Sequence, residues 1–231
     1  VRGVGRAAAV AVGAATLAYL LSTLVLPVQA AISAEAGRQL DSDLLHTAQM
    51  LDLAGAPYLV ALVVAGVLVI IWTWRVRKNL EAFPGAGPAF AAGWAIAGWL
   101  VPFANFFMPY RVVANVARDT LWRLTTPWLV KLWWGAWLLF GLADGFVAGI
   151  IEEEWAALPA APVTSADFDA YADHYISALG SYLIPTAACL AAGVSLIWLI
   201  IRISAAQEAR IARTLPAGPI LPGATLPTPT P

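Results

Sequence analysis

Asp144 is an acidic side chain deep inside an apolar run, 128–151, and Lys131 stands near the start of the same run. A carboxylate at that depth is costly in hydrocarbon, so it implies a buried partner, water reaching in, or a path for protons or ions. Lys131 lies 13 residues earlier, about 20 Å along a helix at 1.5 Å per residue. The two therefore cannot pair within one helix, and Asp144 needs a partner elsewhere or water from the outer side. Asn105 lies in an apolar stretch between Pro102 and Pro109. Its amide can bond backbone groups opened by a helix break, or touch a solute. Asp144, Asn105 and Lys131 make up the candidate intramembrane polar site.

Other chemistry finds less support. The two histidines, His46 and His174, each lie near acids: Asp41 and Asp43 for the first, Asp167, Asp169 and Asp173 for the second. Oxygen and imidazole ligands from two such loops can hold a divalent ion. Their spacing matches no tight metal motif, and solvated acidic loops need no ligand. No metal and no cofactor are expected. Cys189 has no histidine near it in sequence, while Ser177 and Ser181 are merely close to His174. No nucleophile with its base, carboxylate pair or zinc-protease helix is present, and the expectation is a protein that is not an enzyme.

The elements that must position these residues are set by composition. With 61% hydrophobic and 12% charged residues and a mean hydropathy of +0.76, 231 residues have too little polar surface to cover a water-soluble globule. An all-α integral membrane protein follows, with about four transmembrane helices and one Pro-broken element. The first span is 7–32, after a short basic N-terminus, 1–6. A secretory signal peptide is the rival reading, because Val28, Gln29 and Ala30 resemble a cleavage site, but the apolar core exceeds the usual ~7–15 residues. The start at Val1 fits a processed product, a fragment or a valine-coded initiation. An acidic outer segment, 33–56, reads as a surface helix capped by Ser33 and stopped by Gly55. The core, 57–201, holds spans at 58–74, 128–151 and 179–201, with an acidic outer loop at 152–178 in which Ser165 caps a helix. A basic, then Pro-rich tail fills 202–231.

Between the second and third of these spans, Pro102 divides 89–109 into pieces too short to cross alone. The next stretch, 110–124, reads as an interfacial helix with Arg111, Asn115, Arg118 and Asp119 on one side. If 89–109 crosses, five basic residues fall inside and seven outside, against the positive-inside rule. If it dips in and returns, the cytoplasmic face carries eleven basic residues and three acids, while the outer face keeps Arg38 with ten acids. Trp72, Trp74, Trp122, Trp128, Trp133, Trp134 and Trp198 then also gather near the cytoplasmic face. A re-entrant element with both termini in the cytoplasm is expected, its broken backbone helped by Asn105 and shielded from lipid. Gly141, Gly145 and Gly149 are spaced for close helix packing, within the chain against Ala89, Gly93 and Ala97 or in a homo-oligomer.

The ordered blocks Trp74-Arg75-x-Arg77-x-Asn79, Trp99-x-x-Pro102-x-x-Asn105-x-x-x-Pro109 and Trp133-Trp134 resemble a bacterial multi-pass family known as domain of unknown function 4328. The resemblance covers roughly 58–201, is similar to actinobacterial members in its alanine content, and carries no activity. It implies a multi-pass protein of a bacterial cytoplasmic membrane. The expected role is an accessory or scaffold module that meets the lipid bilayer, with anionic lipid at the cytoplasmic face, and an unknown membrane protein or a second copy. The alternative is a small channel or transporter subunit with a polar path at Asn105 and Asp144. Nucleic acid is not an expected partner, because no soluble basic domain is present.

Overall fold

The computed structural model describes residues 2–214; the Pro-rich tail expected beyond them lies outside the described residues. In chain order the helices are α1 (Arg2–Gln39), α2 (Ser42–Met50), α3 (Ala56–Leu80), α4 (Trp94–Leu100), α5 (Met108–Leu121), α6 (Trp128–Ala156), α7 (Ser165–Ser181) and α8 (Leu183–Thr214). Short 3₁₀ turns occupy Leu51–Gly55 and Ala104–Phe106, and no strand occurs among the described residues. The protein is all-α, and α1, α3, α6 and α8 each contain a stretch long and apolar enough to cross a membrane. Their outward faces are apolar too: Leu17, Val60, Val63, Leu142, Phe146, Val194 and Trp198 are all exposed. In water such surfaces would associate, so they point to a membrane as the solvent.

The four long helices form an open bundle. α1 packs on α3 and α8, and α8 packs on α6, while α3 and α6 share no extended contact. The α1–α8 seam is close because small residues form it. A Cβ at Gly5 would stand 2.5 Å from Ser204 Oγ, and one at Gly193 would collide with Thr16. Close backbone approach of this kind is the main source of helix affinity where lipid removes the hydrophobic contrast. The expected packing of Gly141, Gly145 and Gly149 within the chain is not what is seen. A Cβ at any of the three, or at Gly93, meets nothing within 4 Å, because α6 turns its large residues inward instead, with Trp133, Phe140 and Val147 buried.

Several boundaries move for tertiary reasons. Ser33 does not start a helix; α1 runs through it to Gln39 and buries Ser33, Ala36 and Gly37 against α7. The contact requires small residues, since a Cβ on Gly37 would lie 3.1 Å from Phe168 Cβ. The break comes at Leu40, with φ 52°, and Asp41 then caps α2 by accepting from the N–H groups of Asp43 and Leu44. Thr164, one residue before the expected cap, starts α7 through a capping box with Asp167. The backbone N–H groups of Val163 and Thr164 hold the Asp167 carboxyl below the usual carboxylate range. Tyr182 separates α7 from α8. Arg202, Arg210 and Arg213 belong to α8 and not to a tail.

The tryptophans divide as well. Trp74, Trp122, Trp128 and Trp198 are exposed, as a headgroup belt requires, but Trp72, Trp133 and Trp134 are core. Trp72 donates its Nε1–H to Ser204 Oγ at 3.0 Å. α5 is more deeply covered than an interfacial helix: Val112, Val113, Asn115, Val116 and Ala117 are buried at the end of the bundle where α3 and α8 finish. Arg210 seals that end. Its guanidinium sits between the Phe83 and Trp122 rings, 4.4 Å from each centroid, and donates to Asp119 O at 2.9 Å.

Candidate functional site

Asp144 finds its partner 125 residues away. Tyr19 in α1 donates its hydroxyl to Asp144 Oδ1 at 2.6 Å, and the Tyr19 ring is held edge-on by Tyr58 and Phe140, each with centroids 5.0 Å away. The pair opens on a cleft of about 460 Å³ that runs between α1 and α3 toward the 51–55 turn. At the far end of the cleft Gln29 donates to Asp52 Oδ1 at 2.6 Å and to Ala48 O at 3.0 Å. Ser22, Thr23 and Tyr182 complete its polar lining. Such a cleft can admit water or a small cation to two carboxylates. It also resolves the cost of a carboxylate in a span, through a phenolic donor on one side and a wet opening on the other.

The other two polar candidates lie apart from it. Lys131 is exposed on the first turn of α6, and Asn105 is exposed in the middle of the 3₁₀ turn. No side-chain bond from Asn105 closes the broken backbone there. Local turns do so instead: Ala104 N donates to Pro102 O, Asn105 N to Val101 O and Phe107 N to Ala104 O, while Phe106 O accepts from Trp134 Nε1 at 3.0 Å. Neither Asn105 nor Lys131 lines the cleft at Asp144, and the neighbouring apolar cavity, walled by Val69, Trp133, Trp137 and Phe140, includes neither Asn105 nor Asp144. His46 is exposed on α2, whereas His174 is buried with Nδ1 3.4 Å from Glu154 Oε2. Among the described residues no group of three or more His, Cys, Asp or Glu could hold a metal ion.

Arg77, Trp99, Trp133, Trp134 and Pro109 of the motif gather at the excursion between α3 and α6. Arg77, buried despite its charge, donates from Nε to Phe90 O at 2.6 Å and from its terminal nitrogen to the same oxygen. Asn115 Oδ1 accepts from Ala89 N at 3.1 Å, so the neighbouring residue is held as well. Trp99 packs against Trp133 and Trp134 with centroids 6.5 and 6.0 Å away. α4 then doubles back on α5 at Gly98, where a Cβ would stand 2.9 Å from Met108 Cβ. Pro109 occupies the first turn of α5, where no donor is lost. Pro102 lies in the exposed turn, and Trp74 and Arg75 face outward on α3.

Both ends of the excursion lie at one end of α3. Phe90 is fixed at Arg77. Trp99 packs on Trp133 and Trp134, and Phe106 O bonds Trp134, six residues into α6, hence about 9 Å along that helix from its start. The chain then returns, and Thr120 meets Gln207, which also binds Val76 O and Asn79. Between these anchors the turn exposes Leu100, Val101, Phe103, Phe106 and Phe107.

Sequence reasoning missed Tyr19, Gln29, Asp52 and Gln207. The available signal was the presence of isolated hydrogen-bonding side chains in apolar stretches, each of which must find a mate. Which mates they find depends on packing, across 23 residues for Gln29 and Asp52 and across more than a hundred for Tyr19 and Gln207. Residues 36–205 match a family model described as "Domain of unknown function (DUF4328)". No curated protein and no solved structure matches the chain.

Proposed function

The chain belongs to the DUF4328 family, and from that premise we propose a non-enzymatic, multi-pass protein of a bacterial cytoplasmic membrane, working as an accessory module that engages lipid or a protein partner. In this reading α1, α3, α6 and α8 cross, both termini are cytoplasmic, and 89–109 enters the bilayer and returns. The observation that carries the reading is the excursion itself: it leaves and rejoins the same end of α3, and its apolar turn is exposed while its backbone is satisfied. A depth of about 9 Å along α6 is well short of a ~30 Å hydrocarbon core. Arg75, Arg111, Arg123 and Arg202 are exposed near that end and attract anionic headgroups by about 1 kcal/mol each. The open face of Gly141, Gly145 and Gly149 accepts a helix from another membrane protein or a second copy.

Cysteine accessibility tests the topology. Thr120 is buried and bonded to Gln207, so the exposed Thr125 is the reporter. In a Cys189→Ser background, Thr125→Cys is expected to react with an impermeant maleimide only after the cells are permeabilised. Reaction in intact cells would place the loop outside and end the re-entrant reading.

The alternative, a channel or transporter subunit, draws on the cleft at Asp144. Asn105 lines neither the cleft at Asp144 nor the apolar cavity beside it, which supports the accessory reading over a path joining the two. Asp144→Asn keeps an acceptor for Tyr19 and is expected to leave ion flux into proteoliposomes within about twofold of the unchanged protein. A flux present in the unchanged protein and abolished by Asp144→Asn would establish the transport reading instead.

A further inference from the structure

We propose that the cleft at Asp144 binds a small organic amine in its ammonium form, which donates an N–H to Asp144 while its apolar body lies along Leu26, Leu51 and Leu59. The inference goes beyond the accessory reading and depends neither on the path taken by 89–109 nor on transport. The cleft has about 460 Å³, within the roughly 300–1,000 Å³ of small-molecule sites. Asp144 and Asp52 are the charged side chains that line it, and no Lys, Arg or His does so among the described residues. Two carboxylates with no counter-charge on a wall that also holds four leucines and three tyrosines favour a cation.

The hydrogen bonds already made narrow the ligand. Tyr19 donates its hydroxyl to Asp144 Oδ1, Ser22 and Thr23 donate theirs to Tyr19 O, and both amide hydrogens of Gln29 go to Ala48 O and Asp52 Oδ1. The second oxygens of Asp144 and Asp52 accept no hydrogen bond among the described residues. Such a wall suits a ligand that brings N–H groups, and an ammonium carries donors alone. Asp144 is the anchor, because Tyr19 fixes its other oxygen and Tyr58 and Tyr182 line the cleft within electrostatic reach of its charge. Aromatic rings stabilise a desolvated cation further. A metal ion fits less well. The two carboxylates are held by Tyr19 and Gln29, ten residues apart on α1 and hence about 15 Å along it, so they do not converge on one ion. Among the described residues no group of three or more His, Cys, Asp or Glu could hold one either. The leucines of the wall favour hydrocarbon on the ligand, which an inorganic ion lacks.

The test uses the full chain in phosphatidylcholine nanodiscs and equilibrium dialysis of radiolabelled 2-phenylethylamine at neutral pH, where its amine is protonated, with empty nanodiscs as the blank. The expected result is saturable binding with a Kd of about 0.1 mM. Asp144→Asn keeps an acceptor for Tyr19 but removes the charge, and is expected to weaken binding about thirtyfold. Tyr182→Leu removes one ring of the wall and is expected to weaken it about fivefold; it decides the matter if Asp144→Asn prevents folding. The neutral 2-phenylethanol, of nearly the same shape, is expected to displace the probe about thirtyfold less well than the unlabelled amine. No saturable binding above empty nanodiscs, or binding unchanged by Asp144→Asn, would overturn the proposal. Equal displacement by 2-phenylethanol would mean an apolar site that does not use the carboxylate. Displacement by sodium or calcium ions at the probe's own concentration would mean an inorganic-cation site, and either result overturns the assigned ligand class. Failure of the Thr125 topology or of the flux expectation leaves this result readable, because a nanodisc has no second compartment and binding is read at equilibrium.

Discussion

Replacing Arg77 by alanine is expected to lower the melting temperature of the detergent-solubilised protein by about 10 °C, corresponding to about 3 kcal/mol. Arg77 is buried with its charge, and two of its nitrogens converge on Phe90 O. Its remaining terminal nitrogen reaches Glu81 at 3.3 Å, but that acid is exposed and the pair adds little. The main loss is the charge-assisted bond to the Phe90 carbonyl. Phe90 O is then left without its donor, and a cavity is left where the guanidinium packed. Lysine offers one point charge in place of a planar fork, so Arg77→Lys is expected to recover no more than about half of the loss. A second readout separates this role from general destabilisation: at a temperature where the variant remains folded, a cysteine at the buried position Ala95 (Ala95→Cys) should react with maleimide about tenfold faster when Arg77 is alanine. An unchanged rate would mean that Arg77 does not hold the excursion.

The same residue shows what was legible in the sequence. The spans were, because an 18-residue apolar window is a bulk property of composition. The break at Pro102 was legible too, since proline removes a donor. The motif residues stood out by resemblance, but two of their main acceptors, Phe90 O and Phe106 O, are backbone atoms with no signature in residue type. For that reason Asn105 drew attention as the polar residue of the turn, while Trp134 does the bonding. Small residues misled in the opposite direction. Gly141, Gly145 and Gly149 have the favoured spacing yet face outward, whereas Gly5, Gly37 and Gly193, at no regular interval, carry the close contacts. Spacing identifies a face of a helix; which face is used depends on the volume that the rest of the helix presents. In α6 that volume is Trp133 and Phe140, and they take the inside.

Gln207→Leu is expected to cost about 2 kcal/mol, seen as a fall of roughly 5 °C in melting temperature. The amide is fully buried where three helices meet. Its Oε1 accepts from Asn79 Nδ2 at 2.9 Å in α3, and its Nε2 donates to Val76 O at 2.9 Å and to Thr120 Oγ1 at 3.2 Å in α5. Leucine has nearly the same volume, so a void is not the cause. The cost is that the buried Thr120 and the half-buried Asn79 each lose a partner. Asn79→Ala and Thr120→Val each remove one spoke and should cost about 1 kcal/mol alone. Added to Gln207→Leu, either should cost almost nothing, because the spoke is already broken; that non-additivity identifies a network as opposed to three separate contacts. A rise in melting temperature for Gln207→Leu would mean that apolar packing outweighs the hydrogen bonds at this junction. The return of α5 to the end of α3 would then rest on Val112, Val113 and Val116 and not on the amide.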